Sequence, residues 1–303
     1  MFDIIGDIHG YAEPLKQLLK RLGYTKKNGC YGHPERKLIF IGDYIDRGPN
    51  ILETLHIVKD MTDANHAIAL LGNHEFNALC FHTKNDKGVF LRAHSEKNIK
   101  LHEHTLRQLP EHQLRNFLEW FLTLPLFYET EIFRAVHACW DPASIALLKP
   151  QLHNNTLQGC PLEDFALKGG EFYKSVDIVL KGIELAMPDD IEPFYDKEGI
   201  ARRKMRIKWW LNPAEVTYAQ YSIKPNAKLP DKQVSGDVVS GFSHYDAQQK
   251  IVFFGHYWLE GMPVIIRENI GCVDFSIANN GLLAAYRYDG EKYLDNSKYV
   301  FVK

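Results

Sequence analysis

Three short turns rich in carboxylates and imidazoles, each placed where an apolar run ends, constrain this chain more than any other feature. The first is Gly6-Asp7-Ile8-His9-Gly10 after Ile4-Ile5, the second Gly42-Asp43-Tyr44-Ile45-Asp46-Arg47-Gly48 after residues 38–41, and the third Gly72-Asn73-His74-Glu75 after residues 67–71. Runs of this length read as buried strands. Groups at the carboxyl ends of strands in an open α/β sheet collect along one edge. The three turns therefore predict one site furnished with hard oxygen donors and imidazole nitrogens, a set that suits two divalent cations.

The flanking pattern alternates with helices. Leu15, Leu18, Leu19 and Leu22 recur at helical spacing and stop at Gly23, with Pro14 in the first turn; Leu52, Leu55 and Val58 mark a second helix over residues 51–61. Within residues 109–124, Leu114, Phe117, Leu118, Phe121 and Leu122 predict a third, leading into a strand that ends at His137. Strand patterning returns late, at residues 251–254 before Gly255-His256, then at 263–266, 271–275 and 282–288, with Asp289-Gly290 as a hairpin turn signal. Between lies a stretch with few strand-like runs and many loop signals. The expected organisation is a core of residues 1–142 and 236–303 with a cap inserted at 143–235.

The chain of 303 residues, 45% hydrophobic, can bury a full core, and its net charge of −2 gives no bulk attraction to nucleic acid or anionic membrane. No apolar stretch approaches bilayer length. A cleavable leader would remove Asp7, so the expected location is the cytoplasm. Five scattered cysteines, Cys30, Cys80, Cys139, Cys160 and Cys272, contain no CxxC pair and read as reduced thiols. Cys139, close to His137, is weighed as a nucleophile and read instead as a small core residue.

The order and spelling of the three turns resemble the metallophosphoesterases of the phosphoprotein-phosphatase branch, whose pattern is GDxHG, GDxxDRG and GNHE followed by two histidines, matched here by Val136-His137-Ala138 and Phe254-Gly255-His256. The resemblance implies an α/β fold, a four-layered α/β/β/α sandwich. It also implies two divalent ions, manganese foremost, with iron, zinc, nickel or magnesium able to serve. Asp7, His9 and Asp43 would hold the first, and Asp43, Asn73, His137 and His256 the second, with Asp43 bridging. A metal-bridging hydroxide would attack phosphorus, His74 would protonate the leaving oxygen, Asp46 would orient His74, and Arg47 would hold phosphoryl oxygens. Glu75 is expected to support its turn rather than touch substrate.

Arg202, Arg203 and Arg206, in a basic run that follows the acid-rich residues 189–198, could reach over the metals to a second phosphate or form a solvated face. Trp209, Trp210, Tyr257 and Trp258 could stack on a base, but packing is the expected role. His82, His94, His102, His104 and His112 are irregularly spaced and read as helix surface without chemistry. The expected substrates are phosphorylated proteins, nucleotides or other phosphoesters, with no membrane and no stable nucleic-acid partner. The leading expectation is a phosphomonoesterase resembling serine/threonine protein phosphatases. The spelling at Gly255-His256-Tyr257-Trp258 looks more like the symmetrical diadenosine tetraphosphate hydrolases, so a dinucleoside polyphosphate hydrolase is the alternative. A catalytically silent binding scaffold is the reading from a different class, and the intact Asp7, Asp43, Asn73 and His74 speak against it.

Overall fold

The computed structural model describes residues 1–187, 192–195, 201–223, 229–236, 239 and 244–303, without the side chains of Phe194, Tyr195 and Arg202. The acid-rich run 189–198 of the sequence analysis lies mostly outside the described residues, as does the Arg202 side chain.

Two sheets carry the fold. The first runs in the order β14 (Asp274–Phe275), β15 (Leu282–Tyr288), β1 (Phe2–Ile5), β4 (Lys37–Phe40) and β5 (Ala67–Ala69), with β16 (Tyr299–Val302) also on β15. The second is β13 (Ile270–Cys272), β12 (Ile251–Phe254), β7 (Phe133–Val136) and β6 (Phe127–Glu129). Strands β1, β4 and β5 are mutually parallel, as are β7, β12 and β13. Three two-stranded pairs complete the list: β2 (Thr25–Lys27) with β3 (Cys30–Gly32), β8 (Glu184–Ala186) with β11 (Lys204–Arg206), and β9 (Phe194–Tyr195) with β10 (Ala201–Arg202).

The period-2 alternation of strand side chains builds the layers. Ile4, Ile39 and Ile41 of the first sheet meet Phe133, Ala135, Ile251 and Phe253 of the second in a core between the sheets. Their neighbours Ile5, Leu38 and Phe40 point the other way, onto Leu15, Leu18 and Leu55 of the helices α1 (Ala12–Arg21) and α2 (Ile51–Asp63). On the second sheet Val136, Val252 and Phe254 face outward to Leu148 of α6 (Pro142–Leu148), Val176 and Val179 of α8 (Glu171–Lys181), and Trp209. The result is the expected α/β/β/α sandwich. The third motif opens α3 (Asn73–His82); α4 (Glu96–Gln108) and α5 (Glu111–Leu122) come after it, and the short α7 (Leu162–Ala166) and α9 (Tyr218–Tyr221) complete the set.

Three local expectations differ from the structure. Residues 263–266 form no ladder strand: Pro263 lacks a donor, and the Ile265 amide donates instead to the Asn296 side chain at 2.8 Å. The run 271–275 is split at Val273, whose amide donates to Phe254 at 2.8 Å while Asp274–Phe275 cross to pair with β15, so one apolar run serves two sheets. Asp289-Gly290 bends the chain, with Gly290 at φ +101°, but the connection between β15 and β16 runs on through residue 298. Asp289 is tied to Arg36 and Lys298, which uses the turn to anchor rather than to close a two-residue hairpin. No helix among the described residues is long and apolar enough to cross a membrane.

Candidate active site

Six parallel strands end in the loops that carry the site. Asp7 follows β1, Asp43 follows β4, Asn73 opens α3 after β5, His137 follows β7, His256 follows β12 and Asp274 follows β13. The loops are laced together: the Ile8 and His9 amides donate to the Asp43 carbonyl at 3.1 and 2.8 Å, and the Gly255 amide to the His137 carbonyl at 2.8 Å. His9, Asp43, Asp46 and His256 have left-handed φ values of +49°, +56°, +82° and +68°. Such conformations cost a non-glycine residue free energy and persist where the surroundings enforce them. Here they turn side chains inward that an extended chain would send elsewhere.

Close approach of backbone is as important as side-chain choice. A Cβ on Gly72 would lie 2.3 Å from the Asp43 amide nitrogen, and one on Gly255 would lie 2.2 Å from Asp7 Oδ1. Glu75 takes the role expected for it. Its buried carboxylate accepts the amides of Asp43, Tyr44 and Gly72 at 2.9, 2.8 and 3.1 Å, clamping the second turn to the third.

Two groups of ligand atoms converge, His9 with Asp43 and His74, and Asp43 with His137 and His256, each within 4.8 Å of one another. Asp43 is common to both. Its Oδ2 lies 3.6 Å from His9 Nε2 and its Oδ1 3.5 Å from His137 Nε2. Asn73 Oδ1 sits 3.0 Å from His137 Nε2. Asp7 falls outside both groups and accepts the His256 amide at 3.1 Å.

The tautomers are informative. His9 Nδ1 and His137 Nδ1 can only donate to the carbonyls of Ile45 and Ile41, at 2.9 and 3.0 Å, so each neutral imidazole turns the Nε2 lone pair toward Asp43, and His137 toward Asn73 Oδ1 as well. Lone pairs facing lone pairs are repulsive unless a proton or a metal cation lies between them, and this carbonyl-backed arrangement is how metal-binding histidines are oriented. Both ring nitrogens of buried His256 lack a hydrogen-bond partner among the described residues. The residues therefore fit divalent cations.

The charges tell the same story. Burial, with Asp274 and then Asp43 beside it, pushes Asp7 well above the usual carboxylate range. Burial, helped by the charges of His74 and Arg47 and opposed by Asp43, holds His9 down at about 4, and burial followed by the Arg206 charge lowers His256 strongly. Asp43 is held low, against its burial, by His137 and His74. Burial opposes protonation of His74, but Asp43 and Asp46 prevail and raise it.

His74 Nδ1 donates to Asp46 Oδ2 at 2.7 Å, which brings the expected pair together. Arg47, half-buried, lines two cavities of about 200 and 220 Å³ that also share Trp258. The larger holds His74, Asn73, His256 and Arg206. Arg206 stands over the Trp258 ring at 5.7 Å; Arg203 is exposed and does not line that cavity. Trp209, Trp210 and Tyr257 are buried as expected, with Trp209 Nε1 donating to the Ala138 carbonyl at 3.1 Å. Cys139 is buried beside His137, its thiol pushed up by burial, and packs in the core.

The sequence reading missed four residues. Asp274 carried a usable signal, an acid directly after an apolar run, as at Asp7 and Asp43. Arg92 and Lys181 also line the larger cavity, from a loop and a helix end that bear no motif. The fourth corrects the view of the histidine-rich segment as chemically idle surface. His102 is buried and its Nδ1 donates to Asp46 Oδ1 at 2.6 Å, because α4 folds back across the second motif. The only trace in sequence was the spacing of His102 and Thr105 on one helix face.

Comparison with known proteins agrees with this geometry. The model of the calcineurin-like phosphoesterase family matches residues 1–257. A symmetrical bis(5'-nucleosyl)-tetraphosphatase of Marinomonas sp. is 30% identical over 298 residues, 95% of this chain and 94% of that one. Its namesake from Vibrio parahaemolyticus is 26% identical over 294 residues, covering 95% and 96%. An asymmetrical bis(5'-nucleosyl)-tetraphosphatase PrpE of Halalkalibacterium halodurans is 46% identical over 74 residues, and the chain matches only 30% of its length. With the family model spanning most of its residues, the chain belongs to the calcineurin-like phosphoesterases, metal-dependent hydrolases of phosphoric ester or anhydride bonds.

Proposed function

We propose that the protein hydrolyses dinucleoside polyphosphates, and that the phosphomonoesterase reading, though open to the sequence, is the lesser one. The observation that carries this is the charge of the larger cavity: Arg47, Arg92, Lys181 and Arg206 line it, more cations than one phosphoryl group beside the metal ligands can use. A polyphosphate spreads its charge over several groups and matches that surface. The second cavity, beyond Arg47 and Trp258, gives a two-ended substrate somewhere to continue. The names of the relatives matched over nearly their full length support the same choice.

Asp7, His9 and Asp43 would hold one divalent cation and Asp43, Asn73, His137 and His256 the other, manganese being the expected metal. When bound, the cations supply Lewis acidity toward the phosphoryl oxygens and an activated water. Arg47 forks onto two phosphoryl oxygens and balances the charge that develops on them. His74, turned by Asp46 so that Nε2 faces the reacting group, gives its proton to the departing phosphate oxygen. Water adds to one phosphorus, one P–O–P bridge breaks, and each half leaves as a nucleotide. We further propose that residues 143–235 form the cap, with Arg206 on its β11 strand reaching the cavity, and that the protein works in the cytoplasm, where its five free cysteines stay reduced.

The test is a substrate panel on metal-reconstituted protein: diadenosine tetraphosphate, a phosphoserine peptide and 4-nitrophenyl phosphate, with nucleotide products separated by chromatography. The proposal expects the tetraphosphate to have the highest kcat/KM and to yield two molecules of ADP. A higher kcat/KM for the phosphopeptide overturns it.

A further inference from the structure

We infer that His102, on a helix outside the ligand-bearing loops, is a positioning residue that fixes the Asp46 carboxylate and through it the proton-donating orientation of His74. The inference rests on the reading of His74 as the acid.

Asp46 is anchored from both sides. Its Oδ2 accepts from His74 Nδ1 at 2.7 Å, while Oδ1 accepts from His102 Nδ1 at 2.6 Å and from Thr105 Oγ1 at 2.5 Å. The Asp46 amide donates back to the same threonine oxygen at 3.1 Å. A carboxylate held at one oxygen can rotate about its Cβ–Cγ bond; held at both it cannot, and Oδ2 stays where the His74 Nδ1–H needs it. The opposing hydrogen bonds of His102 and His74 also keep Asp46 ionised in spite of its burial.

The donor pattern extends one residue further. Since Asp46 can only accept, His102 spends its Nδ1–H there, and its Nε2 is the acceptor when the ring is neutral. His82 Nε2 lies 3.2 Å from it and donates. His82 is lowered to about 4, chiefly by burial, which suits this role. With His102 neutral, protons point one way, from His82 to His102 to Asp46, with His74 donating from the other side. In α4 only His102 and Thr105 are buried, and both contact Asp46. A helix that packed merely for stability would bury an apolar stripe.

The test compares His102→Ala, His102→Asn and His74→Asn as metal-reconstituted enzymes on an alkyl monoester, glycerol 2-phosphate, and an aryl one, 4-nitrophenyl phosphate, and follows the His74 Nδ1–H resonance in metal-free, 15N-histidine-labelled protein. A nitrophenolate leaves without a proton and an alkoxide does not. Since general acids contribute about 10²–10⁴ in rate, His102→Ala should lower kcat about tenfold to a hundredfold on the alkyl ester and less than about threefold on the aryl one, with KM unchanged. His102→Asn, whose amide replaces the Nδ1–H donor, should recover most of the loss. In the metal-free protein the His74 Nδ1–H should exchange faster with water in His102→Ala and return toward the parent rate in His102→Asn. Equal losses on both esters beside a clear ester preference in His74→Asn would reduce His102 to helix docking and overturn the inference. If His74→Asn itself lacks that preference, the acid reading falls, and an unchanged His74 exchange rate in His102→Ala would then separately overturn the positioning contact.

Discussion

Replacing Glu75 with glutamine should destabilise the protein by about 2–4 kcal/mol, although Glu75 meets no substrate. Its carboxylate is fully buried and receives three backbone amides, one oxygen serving Asp43 and Gly72 and the other Tyr44. Glutamine keeps one acceptor oxygen. Its best orientation leaves that oxygen on Asp43 and Gly72 and turns an NH₂ against the Tyr44 N–H, so one charge-assisted bond is lost, about 1.5–3 kcal/mol, and one buried donor goes unpaired, about 1–3 kcal/mol. Burial, reinforced by Asp43, pushes Glu75 up to about 7, so neutralising the side chain returns part of that loss. Urea unfolding of metal-free protein measures the remainder without contributions from metal binding. A variant within about 0.5 kcal/mol of the parent, the usual range for surface substitutions, would refute the clamp. Parental stability with turnover abolished would refute it too and give Glu75 a part in the reaction.

Asp43→Asn should lower metal occupancy at both positions, since Asp43 belongs to both ligand groups; elemental analysis after reconstitution checks this, and loss at one position alone removes the shared role. Gly255→Ala drives a methyl into Asp7 Oδ1 and should cost about 1–3 kcal/mol in a melting experiment along with weaker metal retention. Arg92→Ala and Arg206→Ala should each weaken diadenosine tetraphosphate binding about tenfold to a hundredfold, the range for a charge-assisted contact, while sparing 4-nitrophenyl phosphate; proportionate losses on both substrates would return the two arginines to structure. Asp289 is held at about 2 by its bonds to Lys298 and then Arg36, below its unfolded value of about 3.9. Its contribution is therefore present above about pH 4 and lost as pH falls toward 2, so the stability gap between parent and Asp289→Asn should close over that window in acid unfolding.

The three motif turns were legible in the sequence because strand and turn signals are local. The apolar runs at residues 4–5, 38–41 and 67–71 coincide with β1, β4 and β5 to within two residues, and Asp7, Asp43 and Asn73 stand just past their ends. His137 and His256 also follow buried strands, but it was the family resemblance that singled them out. The layered sandwich was implied by the family resemblance, and in the structure it is built by alternation that sends Ile39 to one core and Phe40 to the other.

Tertiary structure alone decided the rest, because it depends on contacts between residues far apart in the chain. Val273 divides the strand-like stretch 271–275 between two sheets since each offers an edge there, and no local preference records that choice. Arg92, Lys181 and Arg206 share one cavity although they come from a loop, a helix end and a distant strand. His102 is the clearest case: in sequence it is one polar residue of a charged helix, 56 positions from Asp46, and only the docking of α4 over the second turn brings its imidazole to 2.6 Å from that carboxylate. Periodicity reports which face of an element is apolar; it cannot report which polar group that face will meet.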